Sequence, residues 1–493
     1  MRMTRTEESI DVIIVGAGLA GINTAYRIQT ELPHLRYSIL EARGSLGGTW
    51  DLFRYPGIRS DSDFYTLGFS WYPWTGQPIA GGASIHQYMK EAAAVSGVDQ
   101  HILYHHKLAV ADWSDQTQSW SLEVDCSNSD SSSPKKLVTA RYLVFATGYY
   151  DYDTPLEARI PGLEKFQGQV IHPQFWPEDL DYTGKKIVVV GSGATAITLI
   201  PSLSKKASQV TMLQRSPGYV LRTHNRDRFP LMPYWFKRLW WILITQLIYF
   251  VCKCMPNMTK RLFYRQMERQ LPQNIPSDPH FKPRYNPWDQ RLCVCPDGDF
   301  YTSLRAGKAN VKTSTIKTVT PTSILLNSTE SLEADIIVTA TGLKIRFVGG
   351  TTILINGEPC NPADRFMWKG AMLQNIPNLF NVIGYPNASW TLGADLTASM
   401  ICQIYQHMER SKRTVVVPRM STNDSAVIQT RPFFSLSSTY LTVASRELPK
   451  TGNLRSWAPR QYYLSDLFHV RFGRLFQNLE FAGDVSFQKP HVE

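Results

Sequence analysis

The chain's 493 residues, 43% hydrophobic and 19% charged, supply enough apolar material for two or three packed domains and exclude an extended, disordered protein. The net charge is +11, but eleven Lys/Arg against two acids fall between Arg215 and Arg269, so the excess is local and general nucleic-acid binding is excluded. The 7 cysteines are odd in number, and Cys293 and Cys295 lack the second pair that a zinc cage needs; a reducing, cytoplasmic setting is expected.

The opening MRMTRTEES is polar and carries no secretory signal. Ile10–Gly21, IDVIIVGAGLAG, then predicts a strand, a glycine turn and the start of a helix, and RYSILEAR predicts a second strand ending at Glu41. The arrangement recurs in Lys185–Ala196, KKIVVVGSGATA, followed by QVTMLQRS. Gly16 and Gly191 permit the tight turn, and Gly18 and Gly193 let backbone approach a pyrophosphate. Gly21 and Ala196 let helix pack close on strand, and the helix start around Ala20, or Ser192, Ala194 and Thr195, offers free N–H groups to phosphate. Two copies in the same context predict two dinucleotide sites.

Glu41 ends the first strand pair, and a carboxylate there accepts from a ribose diol, as FAD requires. The second pair ends in Gln214-Arg215-Ser216, where a cation and a hydroxyl favour a 2′-phosphate, hence NADPH. A solvated hairpin tip is expected over the Ser-rich residues 127–134. The apolar runs Leu143–Gly148 and Ile336–Gly342 both end in Ala-Thr-Gly, marking passages between domains.

These readings predict an α/β fold of two Rossmann-like dinucleotide-binding domains, the FAD domain discontinuous and the NADPH domain inserted in it. Residues 1–150 are expected to form the first part of the FAD domain and 151–182 a linker. The NADPH domain is expected over 183–335, with a basic, apolar insertion at 215–270. Residues 336–493 are expected to complete the FAD domain and add a C-terminal substrate-side segment.

Within the insertion, residues 233–255, PYWFKRLWWILITQLIYFVCKCM, carry an apolar centre flanked by bases. The first reading is one or two buried helices. The second is a helix lying on an anionic membrane, with Trp235, Trp240 and Trp241 at headgroup level. The run Leu239–Cys252 is shorter than the roughly 20 residues that span a bilayer.

The segment Phe166-Gln-Gly-Gln-Val-Ile-His172-Pro-Gln-Phe-Trp176-Pro177 resembles the fingerprint FxGxxxHxxxW(P/D) of type I Baeyer–Villiger monooxygenases, within the class B flavin monooxygenases. GGTWDLFRYPGIRSDSDFYTLGF, DLDYTGKKIVVVGSGATA, FKPRYNPWDQRLC and GYPNASWTL further resemble the ethionamide-activating subfamily, so the similarity runs from about residue 10 to about residue 400. The resemblance implies an NADPH- and O2-dependent enzyme that forms a peroxyflavin and inserts oxygen beside a ketone carbonyl. By residue, it implies that Gly16, Gly18, Ala20, Gly21 and Glu41 meet FAD, that Thr49, Trp50, Asp51 and Leu52 lie along the flavin, and that the backbone of Leu108 meets the adenine. Arg59, Ser60 and Asp61 fall where flavin and nicotinamide meet, Gly191 to Ala196 with Arg215 and Ser216 match the NADP loop, and Arg291 matches the catalytic arginine. Gln290 departs from the lysine of better-known ketone-oxidising members, which bears on the strength of NADPH preference.

Side chains cannot activate O2, so the protein's part is to position and polarise. Negative charge develops on oxygen, and the guanidinium of Arg291 is a stabiliser that stays charged throughout. Asp61 is expected to orient it, the alternative being a turn-capping aspartate. His172 is read as a hinge group rather than a general base, Trp176 as packing, and Trp390 equally as core or as a border of the substrate space. The expected partners are O2 and a small apolar ketone, or a thioether or amine oxygenated at sulfur or nitrogen, with peripheral membrane contact through 233–255 as the minor reading. A flavin disulfide reductase would need a CxxC, and the chain has none; a non-catalytic flavin binder is disfavoured by the two complete cofactor turns plus Arg291.

Overall fold

The computed structural model describes residues 8–126 and 134–483. The polar opening through residue 7 and the Ser-rich tip expected over 127–134, Pro134 apart, lie outside the described residues.

β1 (Glu8–Val15) holds Val12, Ile13 and Ile14 with no exposed surface, as a parallel strand covered on both faces requires. It leads to α1 (Leu19–Glu31), β2 (Tyr37–Glu41), two single-turn helices α2 (Thr49–Leu52) and α3 (Phe64–Leu67), and α4 (Gly82–Ser96). β3 (Ile102–Tyr104), β4 (Lys107–Ser114), β5 (Ser119–Asp125) and β6 (Lys135–Phe145) follow. β3, β2, β1 and β6 lie side by side in parallel, and β5 and β4 continue the sheet as an antiparallel meander. The strands Thr352–Ile355 and Leu379–Asn381 join this nine-stranded sheet beside β4 and β6, and the helix Trp390–Arg410 packs on α1. The first unit is therefore discontinuous, as expected.

The chain between those parts builds a second unit from β7 (Gln169–Ile171), β8 (Lys186–Val190), α5 (Ala194–Leu203) and β9 (Gln209–Gln214). β10 (Val220–Thr223), α6 (Tyr234–Cys254), α7 (Pro256–Glu268), β11 (Cys293–Pro296) and β12 (Ala309–Thr313) complete it. Its five-stranded parallel sheet runs β12, β9, β8, the strand Ile336–Thr339 and then β7. This moves two expected boundaries. β7 lies in what was expected to be linker, and Ile336–Thr339 in what was expected to be the returning FAD domain, so the second sheet draws on residues 169–339 rather than 183–335. The reason is hydrogen bonding: Ile336, Ile337 and Val338 are laddered to β8 on one side and β7 on the other, and all three are buried.

α6 corrects the first reading of 233–255. It is buried only along the line Arg238, Ile242, Tyr249 and Cys252, while Trp235, Leu239, Leu243, Leu247 and Phe250 are exposed. Arg238 Nη1 donates to the carbonyls of Tyr65 and Gly68, both at 2.8 Å, capping α3 where a helix end is negative. α6 and α7 meet at 115° across Met255, and among the described residues no single helix is long and apolar enough to cross a membrane.

Candidate active site

A cavity of about 1530 Å3 is lined by both glycine turns, by Arg59–Asp63, and by Arg291 and Trp390. At the first turn Gly16 has φ +104°, a conformation open to glycine, and a Cβ there would also press on the Ala146 carbonyl. A Cβ on Gly21 would stand 1.9 Å from the Gly16 carbonyl oxygen, so helix and turn are in direct backbone contact. No side chain caps α1, and Gly18, Leu19 and Ala20 face the cavity, leaving the helix N-terminus able to receive an anion. Beneath it the buried Glu41 accepts from the N–H of Ala17 at 2.8 Å and of Arg43 at 3.0 Å. Burial raises the pKa of Glu41, and those two bonds oppose the shift.

The second turn repeats the plan more loosely. Gly191 has φ +139°, a Cβ on Gly193 would meet nothing within 4 Å, and Ala196 is fully buried. Gln214 turns inward, its Nε2 donating to the His280 carbonyl at 2.7 Å and to Thr313 Oγ1 at 2.9 Å, which leaves Arg215 and Ser216 to line the cavity. Ser192 Oγ donates to the Ser216 carbonyl at 3.1 Å, and Arg215 Nη2 donates to Thr439 Oγ1 at 3.1 Å.

Arg291 lies between the two turns in a ring of phenols. Its pKa is raised, with Tyr149 the largest cause, burial opposing, and Tyr440, Tyr150 and Asp61 adding, so the guanidinium is charged at any working pH. Its Nε is buried without a hydrogen-bond partner, and the residue lines the cavity. Tyr149 and Tyr150 share a hydroxyl contact of 2.7 Å, and Trp390 stacks on Tyr149 at 5.1 Å. Burial raises Asp61, with Arg291 and then Arg59 opposing, so Asp61 senses both cations; no hydrogen bond or ion pair within 4.0 Å joins it to Arg291. Arg59 is instead paired with Asp299 of the second unit.

Thr49, Trp50 and Ser60 also reach the cavity, with Thr49 Oγ1 and Tyr152 Oη 3.1 Å apart. Gly16, Gly21 and Ala196 lie behind the turns and act through backbone packing. Asp51 and Leu52 do not line the cavity. Asp51 is buried in an ion cluster with Arg43 and with Arg54 at 3.1 Å, which anchors α2, and the His86 ring lies 3.5 Å away. Leu108 is likewise away from it: the side chain is buried in the first unit's core, and its carbonyl accepts from Thr351 Oγ1 at 3.2 Å. His172 Nδ1 accepts from the Gln174 N–H and its Nε2 meets the Gly342 carbonyl, both at 3.3 Å, so the neutral ring ties the fingerprint to the second Ala-Thr-Gly. Burial lowers its pKa, consistent with that neutral, bridging role. Trp176 is buried core, edge-on to Tyr182. The phenols are what sequence reasoning missed. Tyr149-Tyr150 directly after the first Ala-Thr-Gly was an available signal, whereas nothing in the sequence around Tyr440 marks it.

A family model described as flavin-binding monooxygenase-like matches residues 76–352, and one for NAD(P)-binding Rossmann-like domains matches residues 14–79. The chain is 44% identical over 488 residues to the FAD-containing monooxygenase EthA of Mycobacterium tuberculosis, covering 96% of this chain and 98% of that protein. It is 40% identical over 471 residues to the probable FAD-binding monooxygenase AlmA of Acinetobacter baylyi, covering 93% of each. An open crystal structure of cyclohexanone monooxygenase superposes with a TM-score of 0.75 at 18% identity, over 97% of this chain and 100% of that one. OTEMO in complex with FAD and NADP superposes with a TM-score of 0.71 at 17% identity, over 96% and 99%.

Proposed function

Because the chain belongs to the flavin-binding monooxygenase family and is thus an FAD- and NADP-dependent enzyme, we propose that it inserts one oxygen atom of O2 beside the carbonyl of a small apolar ketone, giving an ester or lactone. The observation that carries this reading is Arg291, a permanently charged guanidinium facing the cavity with an unpartnered Nε. When bound, FAD supplies hydride acceptance from NADPH and the activation of O2.

The residues divide that work. Gly16, Gly18, Ala20 and Gly21 form the turn that admits the FAD pyrophosphate, Glu41 receives its ribose, and Thr49 and Trp50 border the flavin. Asp51 and Leu52 hold that segment from behind, and the backbone of Leu108 in β4 meets the adenine while its side chain packs in the core. Gly191, Ser192, Gly193, Ala194, Thr195 and Ala196 form the NADPH turn, with Arg215 and Ser216 for its 2′-phosphate. Arg291 stabilises negative charge on oxygen, while Asp61, Arg59 and Ser60 set the field and shape of the junction.

Oxygen transfer to sulfur or nitrogen is the second reading, favoured by the similarity to the ethionamide-activating subfamily. It forms no tetrahedral adduct and leans less on a fixed cation. The test is the FAD-loaded enzyme with paired ketone and thioether panels, wild type against Arg291→Ala. Ester formation should fall by roughly 100- to 1000-fold with FAD binding and NADPH-driven flavin reduction intact. Unimpaired ester formation by the variant would remove Arg291 from the chemistry, and thioether products alone would favour the second reading.

A further inference from the structure

The outward face of α6 is apolar along its length. Leu243, Leu247 and Phe250 expose 48%, 54% and 57% of their surface, and Leu239, Trp235 and Trp240 extend the row. A helix on the surface of a globular domain normally carries its charges on that side. Here Arg238 is turned inward, Lys237 is 2.5 Å from Asp227 and Lys253 is 3.3 Å from Asp289, so the helix's three cations leave the row unbroken. The row continues through Leu231 and Met232 before the helix and through Met258 and Leu262 on α7. Arg226 and Arg228, shortly before α6, Arg261 and Arg265 on α7 and Arg269 just after it are exposed. The two acids of this stretch are already engaged, Asp227 by Lys237 and Glu268 by Ser277 Oγ at 3.0 Å.

We propose that α6 and the exposed arginines of α7 form a docking surface for an anionic phospholipid bilayer, on which α6 lies flat with Trp235 and Trp240 at headgroup depth. Apolar area and surrounding cations together are what an interfacial helix needs. Charge decides between occupants. Two copies meeting through this face would bring two regions of excess positive charge together, whereas an anionic surface neutralises them. Spanning is opposed by the 115° bend to α7 and by Arg238, which is bonded to α3. Trp241 faces inward instead: with Thr245 and Ile248 it lines the cavity, and Ile248 is also partly exposed. The bilayer-facing row thus lies one helix width from the site. On the ketone or thioether reading above, an apolar acceptor dissolved in the bilayer reaches the cavity there.

The full-length, FAD-loaded protein is sedimented with vesicles of phosphatidylcholine containing phosphatidylserine and with vesicles of phosphatidylcholine alone. Pelleting with the anionic vesicles, weakened by salt, is expected, and Leu243→Glu/Leu247→Glu should reduce it by roughly tenfold while keeping the flavin. If that variant loses its flavin, Arg261→Ala/Arg265→Ala carries the comparison and should bring anionic pelleting close to the neutral level. No pelleting with anionic vesicles, or equal pelleting of wild type and variant, overturns the proposal. So does a wild-type dimer that Leu243→Glu/Leu247→Glu splits without any vesicle binding, which would make the face a contact between copies. The readout needs no turnover, so a failed ketone assay strikes the catalytic reading and leaves this one standing.

Discussion

The two glycine turns are built on one plan and differ in how much room they leave. In the first, Gly21 and the Gly16 carbonyl are so close that no Cβ fits; in the second, the matching place is filled by Ala196, fully buried and accommodated. The strand ends differ in kind. Glu41 stays under the first turn and is fixed by two N–H donors, whereas Gln214 leaves the second and hands the position to Arg215 and Ser216. Similar backbone recipes therefore end in different chemistry through where one side chain points. The first turn is tight with an acid beneath it, and the second is open with a base beside it.

The sharpest way to break this comparison is to equalise the turns. Gly21→Val should cost about 3 kcal/mol or more and give a colourless, poorly folding protein, while Ala196→Gly should cost only about 1 kcal/mol and stay yellow. Flavin absorbance after purification and urea midpoints read both. A smaller effect is expected at the strand end: Arg215→Ala should raise KM for NADPH by roughly 10- to 100-fold and leave KM for NADH nearly unchanged, since only the former carries the 2′-phosphate. Steady-state kinetics with both nucleotides measure it, and parallel changes would mean Arg215 does not read the phosphate.

The smallest concerns the tie between the fingerprint and the second Ala-Thr-Gly. His172 has a pKa below its ordinary 6.5, so the unfolded chain binds the proton more tightly. Its stabilisation is complete above about pH 6.5 and is lost as pH falls through the lower folded value. Urea midpoints should drop on acidification, and by less in His172→Asn.

Much of this was legible because glycine turns and strand ends are local. The repeated Ala-Thr-Gly even held the boundary that the sequence reading misplaced: the first closes β6 of the first sheet, so by the same logic the second closes a strand of the second sheet. β7 escaped notice because three residues show no periodicity. The phenol ring around Arg291 was not legible, since Tyr149 and Tyr440 are brought together only by the return of the chain.

The cap that Arg238 places on α3 has a mechanical consequence. α6 belongs by chain order to the second unit, yet this side chain and Tyr234, whose hydroxyl donates to the Phe69 carbonyl at 2.9 Å, pin it to the first. α7, beyond the bend, stays with β10 of the second. This strap joins the units in addition to the Arg59–Asp299 pair. A rotation of one unit against the other would have to release these bonds or bend the Met255–Pro256 elbow between α6 and α7.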